Sequence, residues 1–480
     1  MDERRRYSVV RDPVHGDLHL TSEELALLDT PPMQRLRGVR QLGTAYLVYP
    51  GAQHTRFEHS LGTMHLTSRL VAAVNRNRDL RPDELDGISP DEERILRAAA
   101  LVHDVTHIPS GHNIEDVRGI LERHDTAERY AKALAPETSV GGALERMGLR
   151  REVLAVLLAE EAAAALGLPR VPVAWRELLS DTICPDILDY LKRDAYFTGL
   201  SLVYDERILS YFMIDRASGH LFVDLEKRGL LREDILSELL RVLDARYFFS
   251  ERVYFHHAKV AAGAMIAQVV ETALLHGALK KEELFEQTDH SLLARLEEAV
   301  GRDASGGGAS GGGRGGGASS DANDELAHAR ELLSRLKSRR LLKRACVFPL
   351  YANRDVQQEL LDRFFAPGKH EERKAFEREV RDGLRRAGLE PVLIQLYCPA
   401  RRMQLKEAAT HVRLPGVGAV KSLQQLADRV PRLAELERSY RDLWKLYVFA
   451  SSDEPRVLAA IAEIVGRLLP RATNVYRPAP

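Results

Sequence analysis

The stretch LVHDVTHIPSGH, residues 101 to 112, holds three histidines and one aspartate: His103, Asp104, His107 and His112. Seven of the 17 histidines in the chain lie between positions 54 and 124. Neutral imidazole nitrogens and carboxylate oxygens together suit a borderline transition metal. The stretch therefore indicates a metal and phosphate site, and the alternative is a cluster of solvated or hydrogen-bonded histidines.

One ion would need ligands from more than one segment of the chain. RFEHSLG supplies His59 on a predicted helix, and CPDILDY supplies Asp186 near the start of another. A helix that ends in His-Asp offers a nitrogen and an oxygen ligand to the same ion. A His-Asp pair alone is a weak signal, because the chain holds a second one at His124.

The elements that must position these residues are mostly helices. SPDEERILRAAALVHD predicts a helix that leads into the histidine stretch, with Ser89 at the N-cap, Pro90 at the first position and Glu92 completing a capping box. Pro185 predicts the start of a later helix. RVYFHHAKVAAGAMIAQVVETALL also has helical spacing, and the first part of the chain contains one convincing strand, HLFVDL at 220–225.

We predict a mainly α fold, with an all-helical core over residues 1–300 and a smaller C-terminal α+β lobe over 346–480. The segment 301–324 is rich in glycine and therefore predicts a flexible insert. Helical spacing flanks it on both sides, which favours an insertion over a domain boundary, and residues 325–345 continue the helical core. Strand-like runs such as ACVFPLY and PVLIQLYC are typical of the lobe.

The composition argues against several classes of partner. The 480-residue chain has a net charge of −1 and a pI near 7.0, so nothing steers the whole molecule toward nucleic acid. We identify no leader-like N-terminus and no apolar run of the roughly 18 residues that a membrane span needs. Three widely spaced cysteines argue against a zinc–thiolate site and for a reducing compartment. We therefore predict a cytoplasmic protein without a membrane or nucleic-acid partner.

Six motifs follow one another in the order DPVHGDLHL, DTPPMQRLRGVRQLG, YPGAQHTRFEHSLGT, ALVHDVTHIPSGH, DILDYLKRDAYFTGL and VYFHHAKVAAGAM. In this order they resemble the HD-domain phosphohydrolase superfamily, and within it the deoxynucleoside triphosphate triphosphohydrolase branch. That branch includes sterile-alpha-motif-and-HD enzymes, although no sterile alpha motif precedes the motifs here. The resemblance runs from about residue 8 to about residue 345. It implies cleavage at the α-phosphate, which releases a deoxynucleoside and triphosphate.

The resemblance also implies a role for each matching residue. The ligands of a divalent ion (Mn, Fe, Mg, Zn or similar) would be His59, His103, Asp104 and Asp186. The catalytic residues would be His107 and His112, which face the phosphates, and the proton-carrying pair His124 and Glu115. The substrate would contact Gln41 and Leu42 beside the sugar, Arg56 on the phosphates, Tyr190 and Asp194 on the 3′-hydroxyl, and Tyr254 at the 2′ position.

Three further residues match a regulatory nucleotide site between subunits: Asp29, Gln34 and Arg37. The resemblance thus implies a homo-oligomer, either a dimer or a tetramer, that binds a nucleotide substrate.

The match departs from the family at the cations that hold the phosphates. Ile187 and His257 stand where the best-known members carry lysines, and Lys192, Arg193 and Lys259 are the nearby alternatives. Three hypotheses therefore stay open. The chain is a triphosphohydrolase of deoxynucleoside triphosphates, an HD phosphohydrolase or phosphodiesterase of other nucleotides, or a nucleotide-sensing module with weak turnover.

Overall fold

The computed structural model describes residues 8–115, 121–202, 204–301, 318–399 and 409–477, so most of the predicted insert at 301–324 lies outside the described residues. The fold is mainly α, which confirms the predicted class. The helices are, in chain order, α1 (Ser22–Leu28), α2 (Pro31–Arg35), α3 (Arg56–Leu80), α4 (Pro90–Val102), α5 (Gly111–Glu115), α6 (Ala127–Ala133), α7 (Ser139–Arg146), α8 (Arg150–Leu157), α9 (Glu160–Ala165), α10 (Val173–Ser180), α11 (Pro185–Thr198), α12 (Glu233–Phe249), α13 (His257–Leu275), α14 (Asp289–Gly301), α15 (Ala318–Lys337), α16 (Leu350–Asn353), α17 (Gln357–Phe364), α18 (His370–Arg386), α19 (Pro431–Asp442) and α20 (Pro455–Leu468).

The helices that carry the candidate ligands begin at well-formed caps. At the start of α4, the Ser89 hydroxyl accepts a hydrogen bond from the Glu92 backbone, and the Glu92 carboxylate accepts one from the Ser89 backbone. Thr55 and Glu58 form the same capping box at the start of α3. Pro185 is the first residue of α11, as the sequence predicted. These contacts satisfy backbone N–H groups that a helix start otherwise leaves unpaired.

The strands are short: β1 (Ser8–Asp12), β2 (Gly16–Leu20), β3 (Leu85–Asp86), β4 (Phe212–Asp215), β5 (Leu221–Asp224), β6 (Glu226–Lys227), β7 (Leu230–Leu231), β8 (Lys343–Pro349), β9 (Ile394–Tyr397), β10 (His411–Arg413), β11 (Lys421–Ser422) and β12 (Lys445–Ala450). The core is therefore not entirely helical. The sequence analysis missed the β1–β2 hairpin, whose turn is built by local chemistry. The Asp12 carboxylate accepts from the backbone of Val14 and His15, and Gly16 has a φ of +82°.

Two larger sheets organise the rest of the strands. β8, β12 and β9 form an antiparallel sheet in the C-terminal part of the chain. The other sheet has the order β11-β10-β5-β4-β3, in which β10 pairs in parallel with β5 and His411 lies opposite Phe222. One sheet thus holds strands from both sides of the predicted boundary at residue 346.

Helix α13 lies in the interior of the molecule. Among the described residues it is the one helix long and apolar enough to cross a membrane, which the sequence analysis did not expect of any segment. Most of that helix is buried inside the protein, where it packs against α14 and α15. Its apolar character is therefore accounted for by the packing of a core helix.

Candidate active site

Three predicted ligands meet where α3, α4 and α11 come together. The Nε2 atom of His59 lies 2.9 Å from Asp186 Oδ1 and 3.3 Å from His103 Nε2, and His103 Nε2 lies 3.7 Å from the same Asp186 oxygen. His59 sits in the first turn of α3, His103 directly follows α4, and Asp186 is the second residue of α11. The helix ends therefore bring together two nitrogens and one oxygen, all within 4.8 Å of one another.

Hydrogen bonds to the far side of each imidazole orient the two rings. His59 Nδ1 lies 2.7 Å from the carboxylate of Asp189, and His103 Nδ1 lies 2.7 Å from the carbonyl oxygen of Ala100. Each acceptor receives a hydrogen bond from Nδ1–H, so that Nε2 of each ring faces the group. Such outer contacts are what orients a metal-bound histidine and sets its tautomer.

Asp104, the fourth predicted ligand, borders the group. Its carboxylate lies 3.5 Å from His103 Nε2, 3.9 Å from His59 Nε2 and 3.1 Å from His107 Nε2. A guanidinium nitrogen of Arg56 donates to it at 2.7 Å. Burial alone would raise the pKa of Asp104, but Arg56 and the histidines hold it well below its usual range. Asp104 is therefore an anion that the three histidines and Arg56 share.

Three of the four predicted ligands, His59, His103 and Asp186, are spaced as ligands of one divalent ion, and Asp104 borders them. Ligand bonds of about 2.0–2.2 Å to one tetrahedral or octahedral ion place neighbouring donors roughly 3.0–3.6 Å apart, close to the separations observed. The site also carries an excess of negative charge. Burial lowers the pKa of His59, but its hydrogen bonds to Asp186 and Asp189 outweigh that effect and raise the pKa to about 10. An ion would therefore replace a proton in a site that already favours positive charge.

A second histidine cluster adjoins this group through Asp104. The rings of His107 and His124 stack with their centroids 3.6 Å apart, and the His112 ring lies 5.2 Å from each. His124 Nδ1 lies 3.1 Å from the carboxylate of Glu115. Burial lowers the pKa of both His107 and His124. Burial therefore favours the neutral form of both rings.

Arg129 supports this cluster, and the sequence analysis did not identify it. Its guanidinium donates to Glu115 at 2.5 Å, to the carbonyl oxygen of Glu122 at 2.7 Å and to the carbonyl oxygen of Thr106. Glu115 thus accepts from Arg129 with one oxygen and contacts His124 with the other. The pair that was predicted to carry a proton is held in place by a buried cation.

The residues predicted to bind the sugar lie on the other side of His59. The Tyr190 ring lies 6.4 Å from the His59 ring and 6.4 Å from the Tyr254 ring. The Tyr254 hydroxyl donates to Asp194 at 2.6 Å, and the second Asp194 oxygen lies 2.8 Å from His54 Nε2. The structure brings these three predicted residues together and adds His54, to which no role had been assigned.

Gln41 and Leu42 lie at the end of the short segment that pairs with the residues before α3. The Gln41 backbone donates to the carbonyl oxygen of His54, and its side-chain oxygen is buried without a hydrogen-bond partner among the described residues. Leu42 is buried. The Gln41 side-chain oxygen is therefore available to accept a hydrogen bond from a ligand. Leu42 packs in the hydrophobic core.

The predicted regulatory residues form a small group of their own at α1 and α2. Arg37 donates to the Gln34 side chain at 2.9 Å and stacks on Phe57, with 3.6 Å between its guanidinium carbon and the ring centroid. Gln34 in turn donates to the carbonyl oxygen of Leu28, next to Asp29, which caps α1. A regulatory role for these residues stays a prediction.

The alternative cations for the phosphates are engaged elsewhere. Lys192 pairs with Glu206, and Arg193 is fully buried between Asp189 and Asp12. Lys259 donates to the carbonyl oxygen of Tyr254 at 3.0 Å. Of the cations that the sequence singled out, Arg56 is the one that contacts the candidate ligands.

Asp189 is the main residue that the sequence analysis missed. It is fully buried and accepts from His59, from His15 Nε2 at 2.6 Å and from two nitrogens of Arg193 at 2.9 Å each. The spacing of Asp189 and Arg193, four residues apart on a predicted helix, was a usable signal for an ion pair. Nothing local signalled the contact with His59, which lies 130 positions earlier.

Comparisons with known proteins match part of this chain to an HD domain. Residues 56–161 match the model of the HD domain family. The chain is 31% identical over 274 residues to the uncharacterized protein YwfO of Bacillus subtilis, covering 56% of this chain and 55% of that protein. It is 26% identical over 380 residues to the deoxynucleoside triphosphate triphosphohydrolase SAMHD1 of Danio rerio, covering 74% and 58%. The chain spans little more than half the length of these relatives.

A solved structure of a hypothetical protein from Aquifex aeolicus has a similar fold. The TM-score is 0.61 at 21% sequence identity, and the match covers 96% of this chain and 100% of that one. This likeness extends the fold assignment over both the helical region and the C-terminal strands.

Proposed function

Because the chain carries an HD domain and resembles the deoxynucleoside triphosphate triphosphohydrolase branch of HD-domain proteins, we propose that it hydrolyses deoxynucleoside triphosphates at the α-phosphate. The products are a deoxynucleoside and triphosphate, and the reaction depends on a divalent ion. The proposal rests mainly on the meeting of His59, His103 and Asp186 beside Asp104 and Arg56.

The residues of this site divide the work on a phosphate substrate. When bound, a divalent ion polarises a phosphoryl oxygen and lowers the pKa of water. Arg56 lies next to the ligands and offers guanidinium nitrogens to phosphate oxygens. The resemblance places His107 and His112 against the phosphates. His124, whose Nδ1 contacts Glu115, keeps Nε2 for proton exchange with the reacting groups.

The sugar side of the site supplies groups for orientation. Asp194 accepts from Tyr254 and contacts His54, so its carboxylate is fixed in position and accepts a hydrogen bond from a sugar hydroxyl without reorganising. The Tyr254 ring lies between Tyr190 and Phe249, with its centroid 6.4 Å and 6.0 Å from theirs. The resemblance places Tyr254 at the 2′ position of the sugar, where its ring would disfavour a ribose 2′-hydroxyl.

One observation favours a second candidate function, the hydrolysis of nucleotides with fewer phosphates or of phosphodiesters. Ile187 and His257 replace lysines of the family, Lys192 pairs with Glu206, and Arg193 is buried in an ion-pair network. A triphosphate carries about four negative charges at neutral pH and needs cations to match them. Among the cations that the sequence singled out, Arg56 is the one that contacts the candidate ligands, and one arginine matches a substrate with fewer negative charges than a triphosphate.

The experiment is a panel of deoxynucleoside and ribonucleoside triphosphates, monophosphates and cyclic nucleotides, each with Mn²⁺, Mg²⁺, Fe²⁺ or Zn²⁺. Products are resolved as triphosphate, pyrophosphate or phosphate. The proposal expects deoxynucleoside and triphosphate, with turnover abolished in Asp186→Ala. Phosphate released from a monophosphate, or a nucleoside monophosphate formed from a cyclic nucleotide, as the main product favours the second candidate. Tight nucleotide binding without turnover under any metal would favour a nucleotide-sensing module instead.

A further inference from the structure

A second group of metal-ligand residues lies outside the candidate active site. Glu177 in α10, His220 directly before β5 and His411 at the start of β10 each offer a ligand atom within 4.8 Å of the other two. The His220 and His411 rings stack with centroids 4.1 Å apart and planes inclined by 21°. The group shares no residue with the sites described above.

Glu177 is held so that one of its oxygens faces both rings. Its Oε2 accepts from the backbone of Leu221 at 2.7 Å. Its Oε1 lies 2.6 Å from His220 Nδ1 and 3.4 Å from His411 Nδ1. The backbone hydrogen bond fixes the Glu177 carboxylate, as such bonds fix metal-binding carboxylates. The two imidazole nitrogens converge on its other oxygen, so that one ion could contact all three groups.

His411 is incompletely satisfied by these contacts. Its Nδ1 is buried and has no hydrogen-bond partner among the described residues, although the Glu177 carboxylate is 3.4 Å away. A buried polar atom without a partner is destabilising, so such atoms are usually paired. A separation of about 3.4 Å is also what two ligands of one tetrahedral zinc ion show.

We propose that Glu177, His220 and His411 form a second metal site, for a borderline divalent ion such as zinc or cobalt, that fastens β10 to the core. Two imidazoles and one carboxylate suit such ions, whereas Mg²⁺ and Ca²⁺ prefer oxygen ligands only. The His220 side chain is 34% exposed, which leaves solvent access for the ion and a water as the fourth ligand.

The three ligands come from elements that are distant in sequence. Glu177 and His220 belong to the part of the chain before residue 300, and His411 belongs to the C-terminal part. The neighbouring residues already join the two parts, since Ala409 N donates to Thr182 and Ile183 N donates to Thr410. An ion at this position would therefore reinforce an existing junction.

The test is the number of Co²⁺ and Zn²⁺ ions bound per full-length chain after dialysis, measured by elemental analysis. Wild type is compared with His411→Gln, His220→Gln and His103→Ala. We expect each of these variants to bind one ion fewer than wild type, and His411→Gln to weaken Co²⁺ binding to this site at least tenfold. A control is His276→Gln, which should bind as wild type does, since His276 contacts Glu325 at 3.0 Å but belongs to none of the candidate metal-ligand groups among the described residues.

A second measurement does not depend on stoichiometry. Added Zn²⁺ should raise the thermal midpoint of His103→Ala but raise it less when His411→Gln is also present, because an ion stabilises the state that binds it. Equal metal binding and equal thermal shifts with and without His411 would overturn the proposal. An unchanged ion count in His103→Ala would instead count against the proposed active site alone.

Discussion

At the scale of single residues, the histidine-rich patch separates into two kinds of contact. His103 turns Nε2 toward His59 and Asp186 and donates from Nδ1 to a backbone carbonyl. His124 contacts Glu115 and stacks on His107. The first arrangement is that of a ligand, and the second is that of an acid–base pair. The sequence alone merged the two into one cluster.

We predict that substitutions in the two groups have different effects. His124→Ala should leave metal content near that of wild type while turnover falls about 10²- to 10⁴-fold, the usual contribution of general acid–base catalysis. His103→Ala should lose metal and activity together, because it removes a ligand. Elemental analysis and a turnover assay on each purified variant check this. Full activity in His124→Ala on every nucleotide tested would contradict the assigned role.

Asp189 gives a second prediction at this scale. Asp189→Asn weakens the acceptor that orients His59 and should lower metal affinity about 10- to 100-fold, the range found for such outer contacts. The matched control is Glu24→Gln, because Glu24 is also a buried carboxylate that pairs with an arginine, Arg97, but lies in α1. Metal titration should show a loss in the first variant only. An equal loss in both would mean that Asp189 acts through general stability.

The sequence predicted the candidate ligands but not the residues that orient them. His59, His103, Asp104 and Asp186 stand in recognisable motifs, and the structure brings them together. The partners of these residues are fixed by tertiary packing. His15 is 174 positions from Asp189, and no local pattern records that contact.

At the scale of elements, the close approach of α3 and α11 depends on a glycine. A Cβ atom at Gly62 would lie 1.9 Å from Asp189 Oδ1 and 2.5 Å from Arg193 Nη2. Gly62→Ala should therefore destabilise the protein by about 1–3 kcal/mol, as overpacking does. Gly466→Ala in α20 is the control, since nothing lies within 4 Å of its Cβ position, and it should stabilise slightly. Urea unfolding of both variants measures the contrast, and equal effects would contradict it.

Glu206 connects α3 and α11 and predicts a pH dependence. Burial acts to raise the pKa of Glu206, but hydrogen bonds from Lys192 and Arg69 outweigh it and lower the pKa to about 2. The unfolded chain therefore binds the proton first as pH falls. The stabilisation is fully present above about pH 4.5 and is lost between there and about pH 2.

Glu206→Gln should remove this part of the pH dependence. The variant should be less stable than wild type at pH 6, and the difference should shrink steadily as the pH is lowered toward 2. Urea unfolding at several pH values checks the prediction. A constant difference across the range would show that Glu206 acts through packing and not through its charge.

Helices were easier to predict from the sequence than strands. The start of α4 could be predicted because Ser89 and Glu92 form a capping box and Pro90 occupies the first helical position. The strands β3 and β10 have two and three residues, too few for an alternating pattern, and their partners are remote in sequence. The β1–β2 hairpin was missed although its Asp-Pro and Gly16 are turn signals, because each of its strands has only five residues.

At the scale of the whole molecule, buried contacts link the parts before and after residue 346. Arg373 in α18 pairs with Glu271 in α13 at 2.5 Å, and both side chains are buried. Gln395 in β9 donates to the carbonyl oxygen of Ala264 at 2.6 Å. Ser250 donates to the hydroxyl of Tyr440 at 3.1 Å. These contacts, together with the mixed sheet, favour one cooperative folding unit over two independent ones.

The chain's two tryptophans allow a direct test of that expectation. Trp175 lies in α10, and Trp444 is fully buried directly before β12. Trp444→Phe and Trp175→Phe each leave a single fluorescent reporter on one side of residue 346. We expect the two reporters to show coincident urea transitions, as a two-state unit does.

Adding Arg373→Met breaks a buried ion pair and should destabilise the unit by about 3–5 kcal/mol. Glu271 and Arg373 lie on opposite sides of the boundary. Loss of their ion pair should therefore lower the urea midpoints reported by Trp175 and Trp444 by the same amount, each compared with its own single-tryptophan parent. If the urea midpoint reported by Trp444 falls and the midpoint reported by Trp175 does not, the C-terminal residues unfold as a separate lobe. The boundary that the sequence predicted at residue 346 would then separate two independently unfolding units.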